Sequence, residues 1–541
     1  MGRSLTNNFG LQYAVQSSLD TLGGSPTWYE VEPNGSIVFN SPNDKVARNP
    51  ISKRRSRRKG AVVDTNPAVS FEDDYTISAV LDRAPGAFFS SFVNADTVFE
   101  GVDATSSGYT VPAATAAQAA KFQWVSGGMA TLVYAKGYAT TANNGLKALT
   151  ADLASSGTTI TVSGNSAETA PTNAMVSLCG IRAEDGDLAM TVSSGVGTLT
   201  SGNNSATNNI DFTTLGLTVG QMIHVGGTTS TNQPASAAST PTYGFARVTA
   251  IAAGSLTLDK LDPGNSDPDR LRPALVAFDG TDDNAGGTNL AIDLLFGRYI
   301  RNVAVDDSDY GQSYYQFEAG YDNLYETTPP TPVASPDGFE YLTNGLTDVW
   351  GVSFGTGDKV TQSWELIGSR IETIVDNASR KTNATTPISP LLTAPFNTST
   401  QCARLRITDI DETGLTTDFK DWSLTIDNEV SGEKVQCYEG NKYLNAGNFL
   451  VDVEATVLFT SPTVVARIRG NTEVTMEFIH ENEDGALAWD LPSMTLGDGA
   501  KDFPVNESIN LSLTGEAYEG DTFSQTLSLS VFPVTPTSAA A

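Results

Sequence analysis

Two histidines, three cysteines and a large excess of carboxylates are the side chains with which this chain could do chemistry. His224 lies in an apolar run (QMIHVGG) and His480 is equally isolated. Neither has a Ser, Asp or metal partner close in sequence, and His224 reads as a core residue. Cys179, Cys402 and Cys437 are odd in number and far apart, so they make neither a disulfide framework nor a spaced zinc site. Asp409-Ile410-Asp411-Glu412 and the stretch from Asp279 to Asn284 offer oxygen ligands without EF-hand spacing, and they read as acidic turns. The glycines of SGVGTLTSG follow no strand-to-helix pattern, and no phosphate-cradling loop occurs. Carboxylates are too numerous to single out a glycosidase pair. The expectation is a protein that is not an enzyme and holds no cofactor and no metal.

What the charges do is repel. With 32 basic against 62 acidic residues the net charge is −30, which disfavours binding to nucleic acid or anionic membrane. One run breaks the rule: Lys53, Arg54, Arg55, Arg57, Arg58 and Lys59 (KRRSRRK). It lies between strand signals and ends at a glycine, as in a long hairpin arm. Such an arm can dock on the acidic surface of another copy; the alternatives are a solvated loop and a DNA contact. Elsewhere the carboxylates alternate with apolar residues. Phe449, Val451, Val453, Ala455 and Val457 share one face of a strand, and Asp452, Glu454 and Thr456 the other. Phe71, Tyr75 and Ile77, interrupted by Asp73, face away from Glu72, Asp74 and Thr76 in the same manner.

The elements that must carry these residues are strands. Gly, Ser, Thr, Ala and Asn are plentiful, strand patterns run from end to end, and turns such as Pro33-Asn34-Gly35 and Asn344-Gly345 punctuate them. Two short helices are expected, one opening at Ser461-Pro462 and a weaker one over Asp82–Val93. From Asn143 to Gly287 the chain is poor in aromatic residues and carries a compact β pattern. Shifting the sequence by 380 residues lays the strand at Phe71 on that at Val451, each followed by a helix signal. A strand beginning with an acid (Asp96, Glu473) then follows each helix signal. Further echoes link Val305-Asp306-Asp307-Ser308 with Val505-Asn506-Glu507-Ser508, and Ala319-Gly320-Tyr321 with Glu516-Ala517-Tyr518. The expected organisation is a first β domain in two parts, 1–142 and 288–376, with a β-rich insert at 143–287. A linker at 377–399 and a related second domain at 400–541 complete it. MGRSLTNNFG lacks an apolar leader core and no run suits a membrane helix, so synthesis in a bacterial cytoplasm is expected.

The runs TLGGSPTWYEVEPNGSIVF, SKRRSRRKGAVVDTNPAVSFEDDYT, ARLRITDIDETGLTTDFKDWSLTIDNEVSGEKV and GNKYLNAGNFLVDVEATVLF together resemble the tail tube proteins of siphophages. The run LPSMTLGDGAKDFPVNESINLSLTGEAYE looks like the closing strands of that family. The resemblance implies tandem β-sandwich tube domains with one short helix each, ring assembly, and inner sheets that fuse into a barrel around a DNA conduit. It implies tape-measure, tail-terminator and distal-tail proteins as partners, with DNA passing through unbound. Six tube domains per ring would come from three duplicated chains, or from six chains if the duplication is not real. On this reading Glu72, Asp74, Asp452 and Glu454 line the channel; the alternative is that they coat an outer surface. A barrel of about 24 strands would be roughly 50 Å across, wide enough for duplex DNA. The competing expectation is a secreted or surface-layer β-rich adhesion protein.

Overall fold

The computed structural model describes residues 10–536 apart from 36, 41, 49–57, 126–127, 172, 185–186, 203–209, 236–240, 265–272, 280–290, 322–335, 391–392, 410–413, 417, 504 and 507. The chain is mainly β, in several sheets, and no closed barrel forms among the described residues. The larger sheet contains β1 (Gly10–Val15), β2 (Trp28–Val31), β3 (Val38–Asn40) and β6 (Ala68–Asp74). A separate hairpin, β4 (Asn43–Arg48) and β5 (Arg58–Thr65), stands between β3 and β6. The large sheet continues with β7 (Arg298–Arg301), β8 (Tyr315–Tyr321), β9 (Gly338–Phe354), β10 (Thr361–Ile367), β11 (Cys402–Asp409) and β12 (Phe419–Asp427). After a second separate hairpin, β13 (Ser431–Glu433) and β14 (Tyr443–Asn445), come β15 (Leu450–Leu458), β16 (Glu473–Asn482), β17 (Gly485–Asp502), β18 (Asn510–Ala517) and β19 (Ser528–Phe532). Helix α1 (Ile77–Phe88) follows β6 and α2 (Pro462–Gly470) follows β15.

Pairing order repeats within the sheet. In the first half β3–β6–β10–β9 are neighbours, and in the second half β12–β15–β18–β17 are neighbours in the same sense. Each half places a hairpin between its first two strands and a helix after the second. The long strands β9 and β17 each serve two layers. The first part of β9 pairs with β8 and the rest with β10, while β17 divides likewise between β16 and β18. The 380-residue offset thus lays β6 on β15 and α1 on α2. The later echoes do not hold. Ala319 belongs to β8, beside β1, whereas Ala517 closes β18, beside β15 and β17. Asp96, expected to open a strand, sits in a 3-10 turn. Helix α1 begins earlier than expected because Thr76 accepts the Ala79 N–H, and it stops where Phe89 turns left-handed at φ 47°.

The two halves join through two ladders, Val349–Phe354 of β9 against Trp422–Asp427 of β12 and Arg298–Arg301 of β7 against Ser528–Val531 of β19. Behind the first lies a shared core of Trp350, Trp364, Trp489 and Phe88. Trp489 Nε1 donates to Tyr75 Oη at 2.6 Å, tying the halves together inside that core.

A second sheet starts after Val93 and ends before Tyr299, which face each other through backbone hydrogen bonds of 2.7 and 3.3 Å. Its strands run from Val98–Glu100 to Ile292–Leu295. The strands Val98–Glu100 and Met129–Lys136, expected in the first β domain, pair here with Met175–Ala183, because Phe99, Phe122 and Val133 share a core with Val176 and Ile181. The unit docks on the second half through buried ions. Arg247 meets Asp490 at 2.9 Å and Asp259 at 2.6 Å. Arg404 meets Glu477 at 3.0 Å and Asp262 at 3.4 Å, and Arg406 also pairs with Glu477. Lys260 reaches Thr475 Oγ1 at 2.8 Å. Burial alone would raise the Glu477 carboxyl, but Arg404, Arg406 and Lys260 outweigh it and hold it below the usual range. Removing one partner leaves the others buried and uncompensated. Glu477→Ala is therefore expected to cost about 3–5 kcal/mol, read as an earlier midpoint in urea unfolding.

Candidate channel-lining face

β3–β6–β10–β9–β12–β15–β18–β17 is a continuous run, and residues paired directly across it share a face. One such row is Glu72, Ser363, Gly351, Thr425, Asp452, Glu516 and Thr495. The next is Asp74, Thr361, Ser353, Ser423, Glu454, Thr514 and Gly497. Glu72 and Asp452 therefore stand four strands apart in one row, and Asp74 and Glu454 four strands apart in the other. All four sequence-selected carboxylates lie on one face; Glu72, Asp452 and Glu454 are exposed and Asp74 is partly buried. The opposite face carries Phe71, Trp364, Val352, Leu424, Val453 and Leu513, all in the core. A single slip of register would exchange the two faces.

Asp73, which interrupts the apolar face of β6, is buried and ion-paired with Arg83 of α1. Asp74 is met by Lys359 at 2.6 Å and by the Asn34 amide. Four further carboxylates reach the same face: Glu365, Asp421, Asp427 and Glu516. Their strands were legible in the sequence, but the face each side chain takes depends on its pairing partner. Asp452 feels the crowding. Partial burial raises its carboxyl above the usual range, and Glu516, Asp427 and Glu454 push it in the same direction.

Of the basic run, Lys53, Arg54, Arg55 and Arg57 lie outside the described residues. Arg58 and Lys59 open β5, which pairs antiparallel with β4, and Lys59 is exposed. This hairpin occupies the place that β13–β14 takes in the second half. Lys434, just past β13, reaches Asp64 of β5 at 2.6 Å. His480 stacks on Phe354 in the core, where burial depresses its pKa to about 3, and His224 is buried against Phe245. Among the described residues no three His, Cys, Asp or Glu side chains gather as metal ligands. No helix of theirs is long and apolar enough to cross a membrane.

The face is acidic and hydroxyl-rich across both halves of the repeated sheet. Residues 261–517 match the phage tail tube protein family. The matched span takes in the whole face except β3 and β6. The match supports a structural role in a phage tail tube, with self-assembly and a place in the virion tail. No curated protein matches the chain.

The raised carboxyl of Asp452 has a definite pH signature. A group whose folded pKa is raised contributes stability that is present below its ordinary value and lost as pH rises through the folded one. Asp452→Asn is accordingly expected to raise the thermal midpoint near pH 7, leave it unchanged near pH 3, and gain less in high salt. Scanning calorimetry at the two pH values checks this.

Proposed function

We propose that this chain is the tail tube subunit of a long-tailed, siphophage-type virus, with three copies closing each ring and rings stacking into the conduit for genome ejection. The observation that carries the reading is the continuous eight-strand run with its repeated rows of carboxylates. Each chain supplies two tube domains, residues 10–93 with 298–376 and residues 400–536, the unit at 94–297 being inserted in the first. Among the described residues the run has two open edges, at β3 and at β17 beyond Thr495. In the repeat these are the counterparts of β12 and β9, which already pair inside the chain. The β9–β12 ladder is thus the template for β17 of one copy meeting β3 of the next.

Three chains then give a barrel of about 24 strands, roughly 50 Å across at the backbone. Glu72, Asp74, Asp452 and Glu454, with Glu365, Asp421, Asp427 and Glu516, face its bore. Phosphates sliding past carboxylates gain none of the contacts from which non-specific DNA affinity is built. Lys53, Arg54, Arg55, Arg57, Arg58 and Lys59 dock on the acidic rim of the next ring, fixing stacking register. The first and last rings meet tape-measure, terminator and distal-tail proteins. The role is mechanical, without catalysis, and synthesis takes place in the host cytoplasm.

Negative-stain microscopy with native mass measurement tests the assembly: hollow rings of three chains are expected. Rings of six chains would refute the tandem reading, and a chain that never closes a ring would refute the whole. Replacing the six cations of the arm by Ser is expected to leave ring mass and circular dichroism unchanged while stopping growth into tubes; tubes of normal length would dispose of the docking role.

A further inference from the structure

Beside α1 lies a cavity of about 670 Å³ that no part of the proposed bore or stacking contact uses. Its walls come from β2, the start of α1, the second sheet, the linker and β19. The floor is apolar, formed by Ile77, Leu81, Met175, Ile388 and Val531. Into it projects Arg298, which lies over the Phe92 ring and has no carboxylate within salt-bridge distance among the described residues. Burial lowers the Arg298 pKa to about 10, against the pull of Asp82 and Glu100. Asp82, on the same wall, is pushed up to about 6, chiefly by burial. Glu30, Glu32, Glu100 and Asp484 also line the cavity, with Lys136 as its second cation.

The chain also carries an unexplained knob. Val505 is 86% exposed and Phe503 67% exposed, among the most exposed large apolar side chains in the protein. They sit on the turn between β17 and β18, directly after Asp502. The hairpin from Gly497 to Thr514 reaches well beyond its counterpart from Ser353 to Thr361. We propose that this knob plugs the cavity of the neighbouring copy in the ring, Phe503 and Val505 on the apolar floor.

Position supports the match. The turn of β17–β18 lies at the end of the sheet where β6 finishes, because Asp74 and Gly497 stand in one cross-strand row. The cavity opens at that same end: Ile77 begins α1 just after β6, and Glu30 and Glu32 line it as the chain crosses from β2 toward β3. β17 and β3 are the two open edges. The plug rests on the ring reading and anchors its interface outside the ladder, where backbone pairing alone gives little side-chain specificity. Two exposed apolar side chains complement an apolar floor.

Both knob side chains are exposed, so Phe503→Asp with Val505→Asp is expected to fold like the parent by circular dichroism. The concentration needed for rings should rise at least tenfold. Rings at the parental threshold would overturn the plug and leave the ring reading intact. If the parent forms no rings, that reading falls, and the plug is judged on the full chain with a fluorescent peptide spanning residues 499–509. Saturable binding, weakened at least tenfold by Ile388→Glu, supports it; no binding overturns it. In a Cys437→Ser background, Val505→Cys with Ile388→Cys should cross-link between chains on oxidation. A cross-link confined to one chain would also overturn the proposal.

Discussion

Everything in this molecule depends on the parity of its strands. From β3 to β17 the ladders keep residues of one parity together across eight strands, so hydroxyls and carboxylates gather on one surface and tryptophans on the other. No single side chain creates that division; the backbone register does, and the apolar core enforces it by making a one-residue slip prohibitively exposed. The shared core around Trp350, Trp364 and Trp489 then welds two repeated halves into one body, with the Tyr75–Trp489 hydrogen bond crossing between them.

The alternation at Phe71–Ile77 and Phe449–Val457 was legible because a period of two needs no knowledge of neighbours. The 380-residue offset was legible for the same strands and the helices after them. The echoes between Val305 and Val505 and between Ala319 and Ala517 do not share that offset, and there a resemblance between short segments imitated a repeat that the pairing does not honour. Glu365, Asp427 and Glu516 lay in strands that could be read, yet which face they take is decided by partners tens of residues away. Asp73 looked like a flaw in an apolar face; Arg83, nearly two turns into α1, explains it.

The inserted unit was hardest to bound. Composition changes at Asn143, but the strand at Met129–Lys136 chooses its partners by burial, and they lie on the far side of that change, at Gly145–Ala148 and Met175–Ala183. Nor does any local signal announce that Arg247 will meet Asp490, 243 residues away. Non-local ion pairs of this kind leave no periodicity to detect.

Those ion pairs have an evolutionary consequence. A surface that buries Arg404, Glu477 and Asp490 beneath another sheet cannot simply be uncovered, because a lone buried charge is far costlier than an apolar residue in its place. The extra sheet and the strands that receive it can therefore change only together. A chain of the same repeated plan without that sheet should carry solvent-compatible or matched apolar side chains at positions 404, 477 and 490.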